Sequence, residues 1–374
     1  MSLQDFVEPV NTYALSQDQG FLDGQIGCNI SVWDGAAPDM DDVDIVLIGV
    51  GEERGAGIKD SGTAGPDKIR EHFYAAYYWH PEVRLGDVGN IRKGATLKDT
   101  YAALRHVVGE LVATGKTVVI LGGSHDQTLG QYQVYRERKQ LIEATCVDAL
   151  IDIHTDSPLK KDSFLLDMLT EEPNFIRHYN HIGFQSYYVH PRMLETLDKL
   201  HFDCYRVGRV KEQMEEMEPV IRHSDMVSID ITAMANSFAP AAALSPNGFN
   251  GEDMCLLTRY AGLSSNLTTL GIYGYRPALD RDDLTARQIA QMLWYFVDGR
   301  HKRMQEAPLD QRDHYNEFHT VFGELESTFL QSKRTGRWWM QIPDRRFIAC
   351  SYADYVKASH NGIPERWYRA QERG

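Results

Sequence analysis

Five side chains have the types and spacing to bind a divalent cation together. Asp152, His154 and Asp156 alternate along one short segment, and His125 and Asp230 follow two other apolar runs. In an extended segment a period of two places such side chains on one face, where two carboxylates beside an imidazole are costly unless a cation neutralises them. Carboxylates and imidazoles without thiolates suit Mn²⁺, Fe²⁺, Ni²⁺ or Zn²⁺ and argue against a structural zinc site. The five residues therefore predict a metal centre.

Each of these residues also has an ordinary structural interpretation. The acids can cap the helices that follow them, and His154 can be a surface histidine. A single Asp-x-His-x-Asp segment favours that interpretation. The arrival of His125 and Asp230 at two further strand ends favours the metal centre instead, because ligands of open parallel sheets sit beyond the carboxyl ends of the strands.

The elements around these residues predict an α/β fold, in which helices cover both faces of a mainly parallel sheet in three α/β/α layers. Short β-branched runs alternate with segments of helical periodicity, and no linker rich in proline, glycine or serine separates them. The whole chain, 1–374, is therefore predicted to be one domain. Strands are predicted at 44–50, 116–121, 149–152, 181–183, 202–206, 225–230 and 269–273. Helices are predicted at 65–77, 97–114, 126–140, 163–171, 191–200, 252–263 and 283–300.

The composition excludes several classes of protein. Of 374 residues, 43% are hydrophobic and 25% are charged, which excludes a disordered, collagenous or coiled-coil chain. A net charge of -14 would repel nucleic acid and anionic membranes, so we expect neither as a partner. The five cysteines include no Cys-x-x-Cys pair. No run of the sequence approaches the ~18 apolar residues of a membrane span. We expect a cytoplasmic protein with reduced thiols.

Several motifs follow one another in order along nearly the whole chain. They are Gly-Pro-Asp-Lys-Ile-Arg at 65–70, Gly-Gly-Ser-His-Asp at 122–126, Asp-Ile-His-Thr-Asp at 152–156 and Ser-Ile-Asp-Ile-Thr at 228–232, followed by Ala-Pro at 239–240. In this order they resemble the arginase, agmatinase and formimidoylglutamase family, the ureohydrolases. The second half, at 245–249, 259–262, 271–273 and 350–355, looks most like formimidoylglutamase-like proteins of bacteria.

The resemblance implies an arginase-like fold and a pair of Mn²⁺ ions whose shared hydroxide attacks an amidine or guanidine carbon. The implied substrate is a small amidine or guanidino molecule. In the formimidoylglutamase case, N-formimidoyl-glutamate is hydrolysed to glutamate and formamide. Carried over by position, His125, Asp152, Asp156 and Asp230 hold one ion. His154 holds the other, with Asp152 and Asp230 as the bridging, catalytic carboxylates.

The sequence departs from this family pattern at two positions and lacks one further group. Thr232 stands where a second chelating acid is expected, and Gly274 stands where a glutamate would hold the cationic amidine. Residues 157–167 contain no histidine that could serve as the proton shuttle of the arginases. We therefore expect one firm Mn²⁺ site and a second site that is weak or empty. The alternative is a catalytically impaired or inactive arginase-fold protein with a binding, sensing or assembly role.

Two arginines are candidates for substrate binding. Arg54, in the loop after the first predicted strand, can orient a substrate carboxylate, although a solvated pair with the neighbouring acids explains it equally well. Arg276 lies two residues after Gly274, where it would repel a cationic amidine. Aromatic runs at 77–79 and 338–340 favour core or subunit contacts, and we expect a homo-oligomer.

Overall fold

The computed structural model describes residues 5–16, 19–35, 40–59, 64–322 and 325–372. Within these ranges ten strands form one large sheet: β1 (Val7–Glu8), β2 (Ser31–Val32), β3 (Ile45–Val50), β4 (Leu85–Ile91), β5 (Thr117–Leu121), β6 (Ile142–Val147), β7 (Ile176–Phe184), β8 (Asp203–Arg206), β9 (Met226–Asp230) and β10 (Thr269–Tyr273). Their order is β1-β4-β3-β5-β10-β9-β6-β7-β8, with β2 beside β4. All pairs are parallel except β1 with β4, which confirms the predicted sheet.

Helices connect these strands and cover both faces of the sheet. Their bounds are α1 (Thr12–Leu15), α2 (Ala64–Tyr74), α3 (Leu97–Ala113), α4 (Gln127–Glu137), α5 (Phe164–Thr170), α6 (Pro191–Lys199), α7 (Val207–Glu212), α8 (Met217–Ile221), α9 (Gly251–Leu263) and α10 (Leu284–Met304). None of the helices in the described ranges combines the length and apolarity that a membrane crossing requires.

The central strands are buried on both faces, which is why they are continuous apolar runs. All six residues of β3 and all five of β5 are buried. Along β3, Ile45 and Leu47 join one core cluster, whereas Val46 and Ile48 join the cluster on the opposite face. Two separate cores, one on each side of the sheet, are what a three-layer α/β/α arrangement requires.

The strand predicted at 149–152 is wrong, because the paired segment is β6 and ends at Val147. Asp148 then turns the chain: its Oδ1 accepts a hydrogen bond of 3.1 Å from the backbone N–H of Leu150. Aspartate commonly makes such a contact two residues ahead and so starts a turn. The apolar stretch after Asp148 is therefore loop, and the carboxyl end of the strand lies at Asp148 instead of Asp152.

The motif at 65–70 anchors α2 to β4 through a buried arginine. Arg70 is fully buried, and its guanidinium donates to both carboxylate oxygens of Asp87 at 2.7 and 2.9 Å. It also donates to Asn90 Oδ1 at 2.6 Å and to the Gly89 carbonyl at 2.8 Å. Because the Arg70 guanidinium is paired with a carboxylate and most of its N–H groups have acceptors, it fixes α2 against β4.

The C-terminal residues form a second sheet that the sequence interpretation did not anticipate. Its antiparallel strands, in the order β11-β12-β13-β14, are β11 (Tyr315–Phe322), β12 (Leu325–Ser332), β13 (Trp338–Gln341) and β14 (Phe347–Cys350). Helices α11 (Tyr352–Ser359) and α12 (Glu365–Glu372) follow, and the unit has its own core clusters. Arg222 joins it to the main sheet by donating to the Trp338 carbonyl at 2.6 Å and lying 4.6 Å over the Trp339 ring.

Candidate metal centre

Four neighbouring strands, β5, β10, β9 and β6, end at the same edge of the sheet and carry the polar residues. Strand β9 ends at Asp230, and β6 leads directly into Asp148. After β5 the chain turns through Gly122 and Gly123, which have φ of +83° and +79°, and then reaches His125. A Cβ at Gly122 would lie 2.9 Å from the Pro66 ring, so this turn needs glycine to bring His125 over the strand ends.

One imidazole nitrogen is surrounded by three carboxylates at this edge. His125 Nδ1 lies 3.0 Å from Asp148 Oδ2, 3.2 Å from Asp152 Oδ2 and 3.5 Å from Asp230 Oδ2. The relative exposures are 2% for His125, 2% for Asp148, 5% for Asp152 and 8% for Asp230. We refer to these four residues as the central cluster. One imidazole and three carboxylates, each within 3.5 Å of the same nitrogen and shielded from water, offer ligand types suited to Mn²⁺ or a similar divalent ion. The buried Cys146 thiol lies beside them, with its sulfur within 4.8 Å of ligand atoms of His125 and Asp148.

The protonation of the central cluster without a cation shows how much negative charge is packed there. Burial and the charge of Asp148 raise the pKa of Asp152 to about 8 and also raise the pKa of Asp230. Burial would raise the pKa of Asp148 as well, but the hydrogen bond and charge of His125 hold it below its ordinary value. Burial lowers the pKa of His125, yet the charges of Cys146 and the acids raise it well above normal. Without a divalent ion, protons bound to these side chains therefore supply the positive charge that offsets the acids.

The far side of the His125 ring is held in the orientation that a metal ligand needs. Nε2 lies 3.0 Å from Ser228 Oγ, which in turn lies 2.6 Å from Thr128 Oγ1. The Phe164 ring packs on the imidazole at a centroid distance of 4.6 Å. Because Nε2 can donate its proton to Ser228, Nδ1 is the nitrogen that could bind an ion among the carboxylates, and without an ion it shares a proton with Asp148 and Asp152.

The structure brings together three of the five sequence-predicted metal ligands, His125, Asp152 and Asp230. It does not bring His154 and Asp156 to them, because both side chains are exposed in the loop that follows the turn. The fourth member of the central cluster, Asp148, was missed. Asp148 and Asp152 have the spacing of the outer acids of an Asp-x-His-x-Asp pattern, and the central position holds Leu150. Asp148 and Asp152 therefore follow the end of β6 with this spacing, whereas the predicted pattern at 152–156 lies on a segment without strand geometry.

A second ion next to the central cluster would lack two ligands. Leu150 offers no donor atom, and Thr232 offers a neutral hydroxyl that donates to Asp148 Oδ1 at 3.0 Å. The backbone N–H of Thr232 also donates to Asp230 Oδ1 at 2.7 Å. His125 contacts the other oxygen, Oδ2, of each of these two carboxylates. Oδ1 is therefore the oxygen through which each acid could bind a second ion. Hydrogen bonds from Thr232 therefore occupy the lone pairs that a second metal would use.

Gly274 fills the position of the expected substrate-binding glutamate, and the backbone there suits glycine. Its φ is +84°, and its N–H donates to the Gly123 carbonyl at 2.8 Å. A Cβ would lie 2.8 Å from Asp230 Oδ1. An acid at this position would therefore be strained and would press on a member of the central cluster, so a single substitution cannot restore the family pattern.

The two candidate substrate-binding arginines differ in the groups that lie around their side chains. Arg54 pairs with buried Glu52, donating through Nε at 2.9 and 3.0 Å, and its other nitrogens donate to the carbonyls of Gly94 and Ala95. It therefore anchors the loop after β3. Arg276 is half-buried, and its charge, with that of Lys93, opposes the burial that raises the pKa of Glu53.

Lys161 is a cation near the central cluster that the sequence interpretation did not include. It lies in a short 3₁₀ turn, Lys160–Asp162, and donates to Asp162 Oδ1 at 2.6 Å. Burial lowers its pKa, but Asp162 and then the charges of Asp152 and Asp230 raise it above the ordinary value. The loop that carries the exposed His154 thus also brings an ammonium group within electrostatic reach of the acids.

Comparisons with known proteins agree on one family. A model described as the arginase family matches residues 43–298. A formimidoylglutamase of Cupriavidus pinatubonensis is 25% identical over 280 residues, which cover 67% of this chain and 85% of that protein. One of Paraburkholderia xenovorans is 26% identical over 242 residues, covering 57% and 73%.

Solved structures of two further proteins share the fold. The formiminoglutamase of Trypanosoma cruzi with Mn²⁺ superposes with a TM-score of 0.65 at 17% identity, covering 72% of this chain and 97% of that chain. The formimidoylglutamase of Bacillus subtilis gives a TM-score of 0.65 at 19% identity, covering 74% and 92%. At this level of identity the likeness concerns the fold alone.

Proposed function

The chain belongs to the arginase family, and from this membership we propose that it is a metal-dependent hydrolase of linear amidine C–N bonds that works with one divalent cation. The proposed cation is Mn²⁺, because the structurally similar enzyme of Trypanosoma cruzi is described with that ion. The proposed substrate is N-formimidoyl-glutamate, because two relatives carry the name formimidoylglutamase.

The convergence of the central cluster carries this proposal. Three carboxylates lie within 3.0–3.5 Å of one histidine nitrogen in a site that solvent barely reaches. Burying mutually repelling carboxylates is strongly unfavourable unless a positive charge binds among them. A chain that had lost all need for a cation would gain stability by replacing these acids.

Each residue of the site has a separate part in the proposed reaction. A bound divalent ion would polarise the amidine and lower the pKa of a coordinated water. The central cluster holds that ion, and Ser228 keeps the His125 ring aimed at it. Thr232 fixes the carboxylates of Asp148 and Asp230 by two hydrogen bonds. Arg276, whose charge lies near Glu53, is proposed to bind a carboxylate of the substrate.

A second candidate is a member of the family that binds a metal ion without turning over an amidine. Leu150, Thr232 and Gly274 favour it, since they remove two ligands of a second ion and the acid that would hold the reacting cation. Such a protein would keep the ion for ligand sensing or for assembly. The two candidates agree about the central cluster and differ only in the rate of hydrolysis.

Metal stoichiometry measured together with formamide release tests both candidates. The purified protein, loaded with Mn²⁺ and desalted, should retain one ion per chain. It should release formamide from N-formimidoyl-glutamate in proportion to that occupancy. One retained ion without formamide release would favour the binding candidate, and no retained ion would overturn both.

Substitutions of Asp148 and of Asp156 show where in the chain the Mn²⁺ ion binds. Asp148→Asn removes a buried carboxylate of the central cluster and should weaken Mn²⁺ binding by about 100-fold or more. Asp156→Asn makes the same chemical change at an exposed position eight residues later, and it should leave the affinity unchanged. A loss of affinity in Asp156→Asn without a loss in Asp148→Asn would show that the ion binds at the segment predicted from sequence and not at the central cluster.

A further inference from the structure

A second group of possible metal ligands joins the loop before β4 to the C-terminal end of α10. It consists of His80 and Glu82 in the loop and His301 in the last turn of the helix. One ligand atom from each residue lies within 4.8 Å of the other two. The two imidazole rings are stacked, with centroids 4.3 Å apart and planes 15° apart. None of these residues belongs to the central cluster or follows a strand of its edge.

The spacing of two of these ligand atoms is close to that around a tetrahedral ion. His301 Nδ1 lies 3.6 Å from Glu82 Oε2, which is too far for a good hydrogen bond. Two ligands bound at about 2.0–2.1 Å to a tetrahedral Zn²⁺ are themselves about 3.4 Å apart. This nitrogen is shielded from solvent and has no hydrogen-bond partner among the described residues. The pair is thus spaced for a shared ion more nearly than for direct contact.

The outer nitrogens of both histidines are supported in the way that metal-bound histidines usually are. His80 Nε2 lies 3.0 Å from Asp298 Oδ1, and Asp298 is held in turn by Arg259 at 2.6 Å. The side-chain amide nitrogen of Gln305 lies 2.8 Å from His301 Nε2, and a flip of this amide would place its oxygen there to accept the ring proton once Nδ1 binds an ion. A carboxylate or amide behind the ring fixes its tautomer and makes the inner nitrogen a better ligand.

The electrostatics of this position also suit a cation. Glu82 and Asp298 bring two negative charges, of which Arg259 offsets one. His301 lies in the last turn of a 21-residue helix, where the unsatisfied carbonyl groups carry the negative end of the helix dipole, and the same turn also holds the basic Lys302 and Arg303.

We propose that His80, Glu82 and His301 bind one Zn²⁺ ion, with water as the fourth ligand. Two imidazoles, one carboxylate and one open position are a donor set that Zn²⁺ takes in proteins. Binding turns the two rings out of their stacked arrangement, because each in-plane lone pair must point at the ion. The ion then links the loop at 75–84 to α10. This proposal is independent of the function proposed for the central cluster.

Zinc stoichiometry in matched variants tests the proposal. The wild-type protein should hold one more Zn²⁺ per chain than His301→Ala or His80→Ala, measured after equilibrium dialysis at micromolar Zn²⁺. Asp298→Asn, which removes the carboxylate behind His80 and weakens its pairing with Arg259 without changing a proposed ligand, should lower the affinity of this site by about 10–100-fold. His106→Ala is the control, since His106 pairs with Glu110 at 3.2 Å in a comparable half-exposed position. This control variant should keep the full zinc content.

Two further measurements show whether the Zn²⁺ that these variants lose was bound by His80, Glu82 and His301. Co²⁺ should give the intense visible bands of a four-coordinate site in an Asp152→Asn protein, in which the central cluster is weakened, and His301→Ala should abolish them. Cu²⁺ should quench Trp294, whose ring lies 5.9 Å from that of His80, and Trp294→Phe should remove this quenching. The proposal is overturned if His301→Ala and wild type hold the same zinc, or if His106→Ala loses as much.

Discussion

Replacing Thr232 by aspartate should make the stability of this protein depend strongly on divalent cations. Thr232 Oγ1 donates to Asp148 Oδ1 at 3.0 Å, so the substitution removes a hydrogen bond to a charged group and puts a carboxylate in its place. The lost bond contributes about 1.5–3 kcal/mol, and two like charges about 4 Å apart repel by about 4 kcal/mol at an effective dielectric constant of ~20. Protonation of one acid recovers part of this. We expect the free energy of unfolding in chelator to fall by about 3–5 kcal/mol.

Chemical denaturation with and without Mn²⁺ measures this effect. In excess Mn²⁺ the new carboxylate becomes a ligand, and most of the lost stability should return through binding to the folded state. Leu150→His combined with Thr232→Asp restores both missing ligands and should bind a second Mn²⁺ per chain. Thr232→Val is the matched control, since it removes the hydroxyl donor without adding charge. It should lower stability by about 1–3 kcal/mol whether or not Mn²⁺ is present.

Two results would refute this reasoning. Equal stability of Thr232→Asp and wild type in chelator would mean that the hydrogen bond from the Thr232 hydroxyl does not stabilise the Asp148 carboxylate. Two tightly bound Mn²⁺ ions in the wild-type chain would mean that Leu150 and Thr232 do not prevent the second site from forming.

Three further predictions concern the same edge of the sheet and its support. Gly274→Ala should cost about 1–3 kcal/mol of backbone strain and also weaken Mn²⁺ binding, whereas Gly336→Ala, at φ +75° with no atom near its Cβ, should cost strain only. Titration calorimetry and denaturation of both variants check this. Arg70→Met should lower the free energy of unfolding by about 3–5 kcal/mol, because it leaves the buried Asp87 carboxylate unpaired. Because the pKa of Asp152 is raised to about 8, Mn²⁺ must displace a proton below that pH. Affinity should therefore rise with pH by at least about tenfold between pH 6 and 8, since the raised pKa of His125 means that its proton is displaced as well, a trend that calorimetry in several buffers measures.

Most of the sheet could be predicted because its strands are buried on both faces. Runs such as β3, β5 and β10 are continuous and apolar, so their bounds agree with the sequence prediction within a residue. The sequence places His125 and Asp230 at this edge for the same reason, since a side chain directly after a clear strand has only one edge on which to lie. Thr232 and Gly274 were recognised as departures because they follow equally clear strands.

The position of Asp148 at the end of β6 could not be read from hydrophobicity alone. In β6, Glu143 and Thr145 interrupt the apolar run. The loop at 149–151 is fully apolar, so its sequence resembles that of a buried strand. The distinguishing signal was the aspartate at 148, which can start a turn by accepting from the N–H two residues on. The sequence does not indicate the second sheet, because only three of the eight residues of β11 are buried, so it lacks the continuous apolar run of a central strand, and its partners are set by tertiary packing.

The bridge between the two sheets has a practical consequence for truncated forms of this chain. A shortened protein that stops after α10 would retain the region shared with the family and remove the Trp338 carbonyl and the Trp339 ring from Arg222. That guanidinium, now 2% exposed, would keep Glu218 as a partner on one side and face bulk water on the other. Since Arg222 lies just ahead of β9, whose far end holds Asp230, the cut would destabilise the strand that carries this proposed metal ligand. Recombinant forms intended for metal or activity measurements should therefore extend through α12.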